Sequence, residues 1–97
     1  MQGTERRGGP FPAPRRRLPA FPDAERDRPK TPRQGGAGLR PRWRDRGTGR
    51  IYEWDSRHGT VEVYDDHGRH IGEFHPSSGK QLNGPNSNYR VEPQDVR

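Results

Sequence analysis

The sequence predicts a mainly β domain, a small α+β fold. Its centre is a highly twisted antiparallel meander of about four to five strands, with a long Pro/Arg-rich N-terminal arm. Three observations predict it. The chain has 97 residues, of which 23% are hydrophobic and 33% charged, so it holds one small core. From residue 50 onward, apolar residues recur with a period of two. Between those alternating runs lie short Gly-, Asn-, Asp- and Pro-containing breaks that read as turns.

The arm comes first. "GGPFPAPRRRLPAFPDAERDRPK" has Pro at 10, 12, 14, 19, 22 and 29, a density that prevents helix and ladder formation. Residues 1–30 therefore read as a partly disordered linker or arm, and residues 31–97 as the folded domain. Phe11, Leu18 and Phe21 are isolated apolar points that either dock on a sheet or attract a partner. A short helical turn over 23–28, "DAERDR", follows Pro22. "TPRQGGAGLRPRWRDRGTGR" at 31–50 reads as a loop rich in Gly and Arg.

Four strands follow. "RIYEWD" (50–55) and "TVEVYD" (60–65) are joined by "SRHG", and "DDHG" turns the chain into "RHIGEF" (69–74). "PSSG" then leads into a short strand, "KQLN" (80–83). Pairing Asp55 with Thr60 sets Glu53 opposite Glu62 and Ile51 opposite Tyr64. Tyr52, Trp54, Val61 and Val63 then share one apolar face, the natural core face. With "HG" as a two-residue turn, Glu73 also falls opposite Glu62.

Charge is unevenly placed. Residues 1–50 hold fourteen Lys/Arg against five Asp/Glu, and residues 51–97 hold five against eight. The basic half suits a polyanion, most simply nucleic acid, although a solvated basic arm has the same composition. Arg40, Arg42 and Arg44 interleave with Trp43, and Lys80 adds a later cation. Such a set offers phosphate contacts and base stacking. For Trp43 alone the plainer reading, a core residue, is preferred, because so small a core needs its tryptophans. There is no Cys, hence no disulfide and no thiolate zinc site. No apolar run is long enough for a signal peptide or a membrane span, so no membrane contact by the domain itself is expected.

The face opposite the core collects Glu53, Asp55 and Glu62, with His58 in the turn above. Like charges opposed on adjacent strands destabilise a sheet. They also raise carboxyl proton affinity toward the range useful for proton transfer. A carboxylate beside His58 would fix its tautomer. Such a face supplies a general base, a general acid and an orienting group, and a basic surround supplies a phosphate clamp. The set suits RNA cleavage by attack of a ribose 2′-OH on its own phosphate. Glu53 and Glu73 read more plainly as ordinary exposed charges. His67, His70 and His75 match no familiar zinc spacing, so no metal or other cofactor is expected.

The stretch from Pro29 to Pro85, "PKTPRQGGAGLRPRWRDRGTGRIYEWDSRHGTVEVYDDHGRHIGEFHPSSGKQLNGP", closely resembles the C-terminal cytotoxic domain of the ribosome-inactivating colicins and cloacin. The resemblance implies a metal-independent ribonuclease that cuts 16S ribosomal RNA in the decoding A-site and so stops translation. It implies a twisted antiparallel sheet with a short N-terminal helix, and a cognate acidic immunity protein as partner. It also implies a secreted or delivered toxin acting in the cytoplasm of a target bacterium, with the Pro/Arg-rich start as the junction to a carrier. By position, the family's catalytic Asp, His and Glu fall on Asp55, His58 and Glu62, and its C-terminal Arg on Arg90. Glu62 is favoured as base, His58 as acid, Asp55 as the group holding His58, and Arg90 as the phosphate contact. The base and acid roles can be exchanged. His70 is a secondary candidate, since the family also has a His there. The tail after Pro85, "NSNYRVEPQDVR", departs from the family and is less basic. Two other readings are a non-catalytic RNA- or ribosome-binding module of the same fold, and a basic, largely disordered interaction protein with a small hairpin core.

Overall fold

The computed structural model describes residues 11–33 and 38–93. Six strands form one antiparallel sheet in which each pairs with its neighbours in the chain: β1 Ala24–Asp27, β2 Arg42–Asp45, β3 Ile51–Asp55, β4 Thr60–Tyr64, β5 His70–Phe74 and β6 Gln81–Asn83. The mainly β meander holds, with two strands more than the period-two pattern reveals. No helix forms over 23–28: that segment is β1, paired with β2 from Ala24↔Asp45 to Asp27↔Arg42. The charged run looks helical alone, but hydrogen bonding to a neighbouring strand outweighs local propensity. β2 was hidden for the same reason, since "RWRD" has one apolar residue and reads as loop.

The central register is the one that alternation requires. Asp55 faces Thr60, Glu53 faces Glu62, Ile51 faces Tyr64, and Glu62 faces Glu73 on its other side. Trp43, Tyr52, Trp54, Val61 and Val63 are buried together on one face. The arm covers that face. Leu18 is fully buried, and Phe21 packs on Tyr52 and Phe74 at ring-centroid distances of 4.9 and 6.0 Å. The arm folds through two tight turns, Phe21 N–H to Leu18 O and Ala24 N–H to Phe21 O, both at 3.0 Å, and carbonyls ahead of them accept bonds from the core indoles. Trp43 Nε1–H donates to Arg16 O at 2.8 Å, and Trp54 Nε1–H to Phe11 O at 2.7 Å. Buried indole N–H groups need such acceptors. Over residues 11–30 the expected partly disordered arm is therefore part of the core. Residues 1–10 lie outside the described residues.

The opposite face is divided. Its β2–β3 side is closed by an ion pair and by the C-terminal segment. Arg42 and Glu53, both 0% exposed, meet at 2.8 Å (Nη2 to Oε2), and Thr31 Oγ1–H also donates to that oxygen at 2.6 Å. Arg42 Nη1–H donates to Glu92 O at 2.9 Å, and Val91 packs on Ile51 and Tyr64. Gly68 lets the segment approach: it has φ +83°, and a Cβ there would lie 2.1 Å from Val91 O. The β3–β5 side stays open.

One irregularity shapes that open side. The β4–β5 loop has three residues, 66–68, closed by Asp65 N–H to Arg69 O at 2.8 Å, rather than the two-residue "HG" turn the sequence suggests. A bulge absorbs the extra residue: Val63 pairs with Gly72, but Tyr64 pairs with His70. Ile71 packs toward the core and His70 is turned onto the open face.

Candidate active site

The β3–β4 turn is built by Asp55. Its Oδ1 accepts the backbone N–H groups of Arg57 at 3.0 Å and His58 at 3.3 Å, an Asx turn. Its Oδ2 lies 2.8 Å from His58 Nδ1. A carboxylate only accepts, so His58 donates through Nδ1–H, and Nε2 is left for proton exchange with a ligand. The side chain of His58 is 63% exposed. Its proton affinity is raised above the ordinary value of 6.5, first by the Asp55 hydrogen bond and then by the Asp55 charge.

Glu62 sits mid-strand on β4 and is buried. Its Oε1 lies 2.6 Å from His70 Nε2. His70 Nδ1 accepts the Asn86 backbone N–H at 2.9 Å, which assigns the ring proton to Nε2. His70 therefore donates to Glu62 through Nε2–H. Its side chain is only 2% exposed, enclosed edge-on by Tyr64 and Tyr89 with centroids 5.2 and 4.9 Å away. Desolvation by burial raises the Glu62 pKa, the His70 bond opposes the rise, and the charges of Glu73 and Asp55 add to it.

Glu73 completes the set. Its Oε2 accepts Thr60 Oγ1–H at 2.6 Å and its Oε1 accepts Asn83 Nδ2–H at 2.5 Å. It is half-buried beside Glu62 rather than an ordinary exposed charge. Glu53 also departs from that expectation, since its carboxylate is spent on Arg42. The row of opposed carboxylates persists because each has a different donor: Arg42 for Glu53, His70 for Glu62, and Thr60 with Asn83 for Glu73.

These groups open into two adjoining clefts. One, of about 630 Å³, is walled by Asp55, His58, Glu62, His70 and Glu73, with the 83–89 segment opposite. The other, of about 310 Å³, shares Asp55, His58 and Glu62 and adds Arg40, Tyr64 and Arg90. The structure thus brings together Asp55, His58, Glu62, His70, Arg40 and Arg90. It removes Arg42 and Trp43 from the expected RNA-contacting set, because both are fully buried. Trp43 is the core residue that the plainer reading preferred, with Arg26 over its ring at 5.1 Å. Arg44 is half-buried on β2, and Lys80 is exposed in the β5–β6 turn; neither lines these two clefts. Sequence reading missed Glu73 as a site residue, although its register opposite Glu62 was the available signal. The segment carrying Asn86 and Tyr89 gave no signal.

By distance, Asp55, His58 and Glu73 lie close enough to hold a cation, as do Asp65, Asp66 and His67. In the first group the facing atoms of Asp55 and His58 bond each other, and both oxygens of Glu73 accept protein donors. The donor set is thus satisfied within the protein.

An open antiparallel sheet with a core on one face and two carboxylate–imidazole pairs on the other defines a small domain equipped for proton transfer. The family described as Cytotoxic matches residues 11–92, including the arm from residue 11 onward. Cloacin of Escherichia coli is 40% identical over 84 residues, covering 84% of this chain and 15% of the relative. Colicin-E6 of Escherichia coli is 47% identical over 66 residues, 67% of this chain and 12% of the relative. Colicin E3 of Escherichia coli is 46% identical over 65 residues, 66% of this chain and 12% of the relative. The chain belongs to this cytotoxic-domain family. It spans 12–15% of the length of these relatives.

Proposed function

We propose that the chain is the ribonuclease domain of a colicin-like toxin, cutting 16S ribosomal RNA in the decoding A-site by metal-independent transesterification. The observation that carries this reading is the pair of hydrogen-bonded dyads, Asp55–His58 and Glu62–His70, lining one cleft beside Arg40 and Arg90. Family membership supports the substrate class.

The environments of the two dyads favour one division of roles. Glu62 takes the 2′-OH proton: its raised pKa strengthens it as a base, and His70 holds it through one oxygen. The 2′-oxygen attacks phosphorus and the bond to the 5′-oxygen breaks. His58, whose proton affinity Asp55 raises, gives its Nε2 proton to the departing 5′-oxygen. Arg90 and Arg40, on the adjoining cleft, stabilise charge on the phosphorane. The products are a 2′,3′-cyclic phosphate and a 5′-hydroxyl. Target-cell entry by a carrier, and neutralisation by an acidic immunity protein, follow from the same family reading.

Primer extension on bacterial ribosomes tests the proposal. A discrete stop in 16S RNA is expected with wild type, and none with Glu62→Gln or with RNA carrying a 2′-deoxyribose at the scissile nucleotide. Equal cutting of deoxy-substituted RNA would refute 2′-OH attack. Cutting by Glu62→Gln at the wild-type rate would remove Glu62 as base and leave the exchanged roles. Ribosome binding without any cut would favour the non-catalytic module.

A further inference from the structure

Tyr89 is anomalous in a domain that hides its aromatics. Among the described residues, Trp43, Tyr52, Trp54 and Tyr64 are buried, and Phe21 and Phe74 are half-buried. Phe11 is exposed on the core side, beside Trp54. Tyr89, 45% exposed, is the exposed aromatic on the face of the acid–base dyads. It walls both catalytic clefts and also a third, of about 210 Å³, with Arg69, His70, Pro85, Ser87 and Arg90.

We propose that Tyr89, with Pro85 and the guanidinium groups of Arg69 and Arg90, forms a nucleobase-stacking subsite for a nucleotide flanking the cleaved phosphate in single-stranded RNA. This rests on the ribonuclease reading and names how its substrate is held.

The chemistry of the third cleft differs from that of its neighbour. The larger catalytic cleft holds three carboxylates, whereas this one has an aromatic ring, a proline, a hydroxyl and two Arg. A ring face suits any base, and Arg at the rim suits the phosphates on either side of it. The ring is also fixed in advance. Its backbone N–H donates to Asn86 O at 3.0 Å, Arg69 and Arg90 form a β-bridge, and Val91 N–H donates to Gly68 O at 3.0 Å. The ring meets His70 at 64°, edge to face. A pre-placed ring loses little freedom on binding. Because Tyr89 also covers the imidazole that holds Glu62, a base on it would lie next to the 2′-OH that Glu62 serves. Stacking tolerates all four bases, so the subsite adds affinity and places the chain without selecting sequence.

The test uses a fluorescent, single-stranded oligoribonucleotide of mixed sequence, and the same strand with 2′-deoxyribose throughout, which resists cleavage. Tyr89→Phe keeps the ring and should bind the deoxy strand as wild type does. Tyr89→Leu keeps an apolar cover over His70 but has no ring face, and should bind about tenfold or more weakly. Its slope of log affinity against log salt should match wild type, whereas Arg69→Gln and Arg90→Gln should each lower that slope by about one. Tyr89 ring protons should move upfield in NMR spectra as strand is added. Equal binding by Tyr89→Leu, or ring protons that do not move, would overturn the subsite. Equal weakening by Tyr89→Phe would assign the effect to the hydroxyl and overturn stacking. The two readings fail separately. Cleavage of the ribose strand with binding indifferent to Tyr89 sinks only the subsite; Tyr89-dependent binding without cleavage sinks only the ribonuclease. Failure to bind or cut either strand sinks both.

Discussion

Replacing Arg42 by Met separates a structural arginine from an RNA-binding one. Arg42 lies in the Arg-rich run that first suggests phosphate contacts, yet its guanidinium is fully buried against Glu53, with bonds of 2.8 and 3.1 Å to one oxygen. Met fills much of the volume and removes the charge. Glu53 Oε2 would then keep only the Thr31 hydroxyl, and Glu53 Oε1 has no hydrogen-bond partner among the described residues even in the intact protein. Stranding one member of a buried pair costs about 3–5 kcal/mol. Releasing the Glu92 carbonyl adds about 1 kcal/mol. Set against the 5–15 kcal/mol typical of a whole domain, roughly 4 kcal/mol is a large share. At about 4–8 °C per kcal/mol for a domain of this size, the midpoint should fall by roughly 16 °C or more. Urea unfolding followed by the fluorescence of Trp43 and Trp54 measures the loss. The companion variant Arg42→Met/Glu53→Met should recover a substantial part, because no charge is left stranded. A single variant within about 1 kcal/mol of wild type, or a double variant as unstable as the sum of the two singles, would refute the argument.

Three further outcomes are expected. Leu18→Ala should cost about 2–5 kcal/mol in urea unfolding, because Leu18 is fully buried in the core; a negligible loss would return the arm to a mere linker. Asp55→Asn should lower the His58 pKa toward 6.5, read by NMR titration. A raised folded-state pKa contributes stability that is complete below the unfolded value and lost as pH rises through the folded one. The stability deficit attributable to His58 should therefore be larger near pH 6 than near pH 9, and a pH-independent deficit would contradict it. Glu73→Gln and His70→Gln should move the acid limb of cleavage in opposite directions, since Glu73 raises the Glu62 pKa and His70 lowers it. The first variant should shift that limb down in pH and the second up, and shifts of the same sign would break the assignment.

The parts of this structure that follow the pleat were legible in the sequence. Alternation from Ile51 to Tyr64 set the register of β3 and β4 and the core face, because a one-residue slip would have turned Trp54 and Val61 to water. The elements that were not legible owe their form to partners distant in sequence. β1 is a strand because β2 lies beside it, and β2 lacks the apolar alternation that announces a strand. Leu18 and Phe21 were visible as apolar points, but whether they faced a sheet or a partner depended on a surface built some thirty residues later. In the site, Asp55, His58 and Glu62 could be placed from one hairpin. His70 entered only through family resemblance, since the bulge that turns it toward Glu62 has no period-two signature. Arg42 was read as a phosphate contact because a charged side chain does not itself declare burial, and Trp43 carried an RNA reading beside the preferred core one; Glu53 and the Arg16 carbonyl make the burial of the two tolerable.

The same contrast bears on how the site works. Regular strand positions supply its carboxylates: Asp55 at the end of β3, Glu62 in β4 and Glu73 in β5. Irregular positions supply its imidazoles, His58 from a tight turn and His70 from a bulge. Without the bulge, the register that pairs Val63 with Gly72 would set Ile71 on the open face and His70 on the core face. The departures from regularity also give the two histidines different states. His58, exposed and bonded to Asp55 through Nδ1, gains a proton readily. His70, buried, accepts the Asn86 N–H through its own Nδ1 and bonds Glu62 through Nε2, so both ring nitrogens are engaged within the protein. One imidazole is thus arranged to exchange protons and the other only to hold. That asymmetry, more than the presence of either residue, favours Glu62 as base and His58 as acid over the exchanged roles.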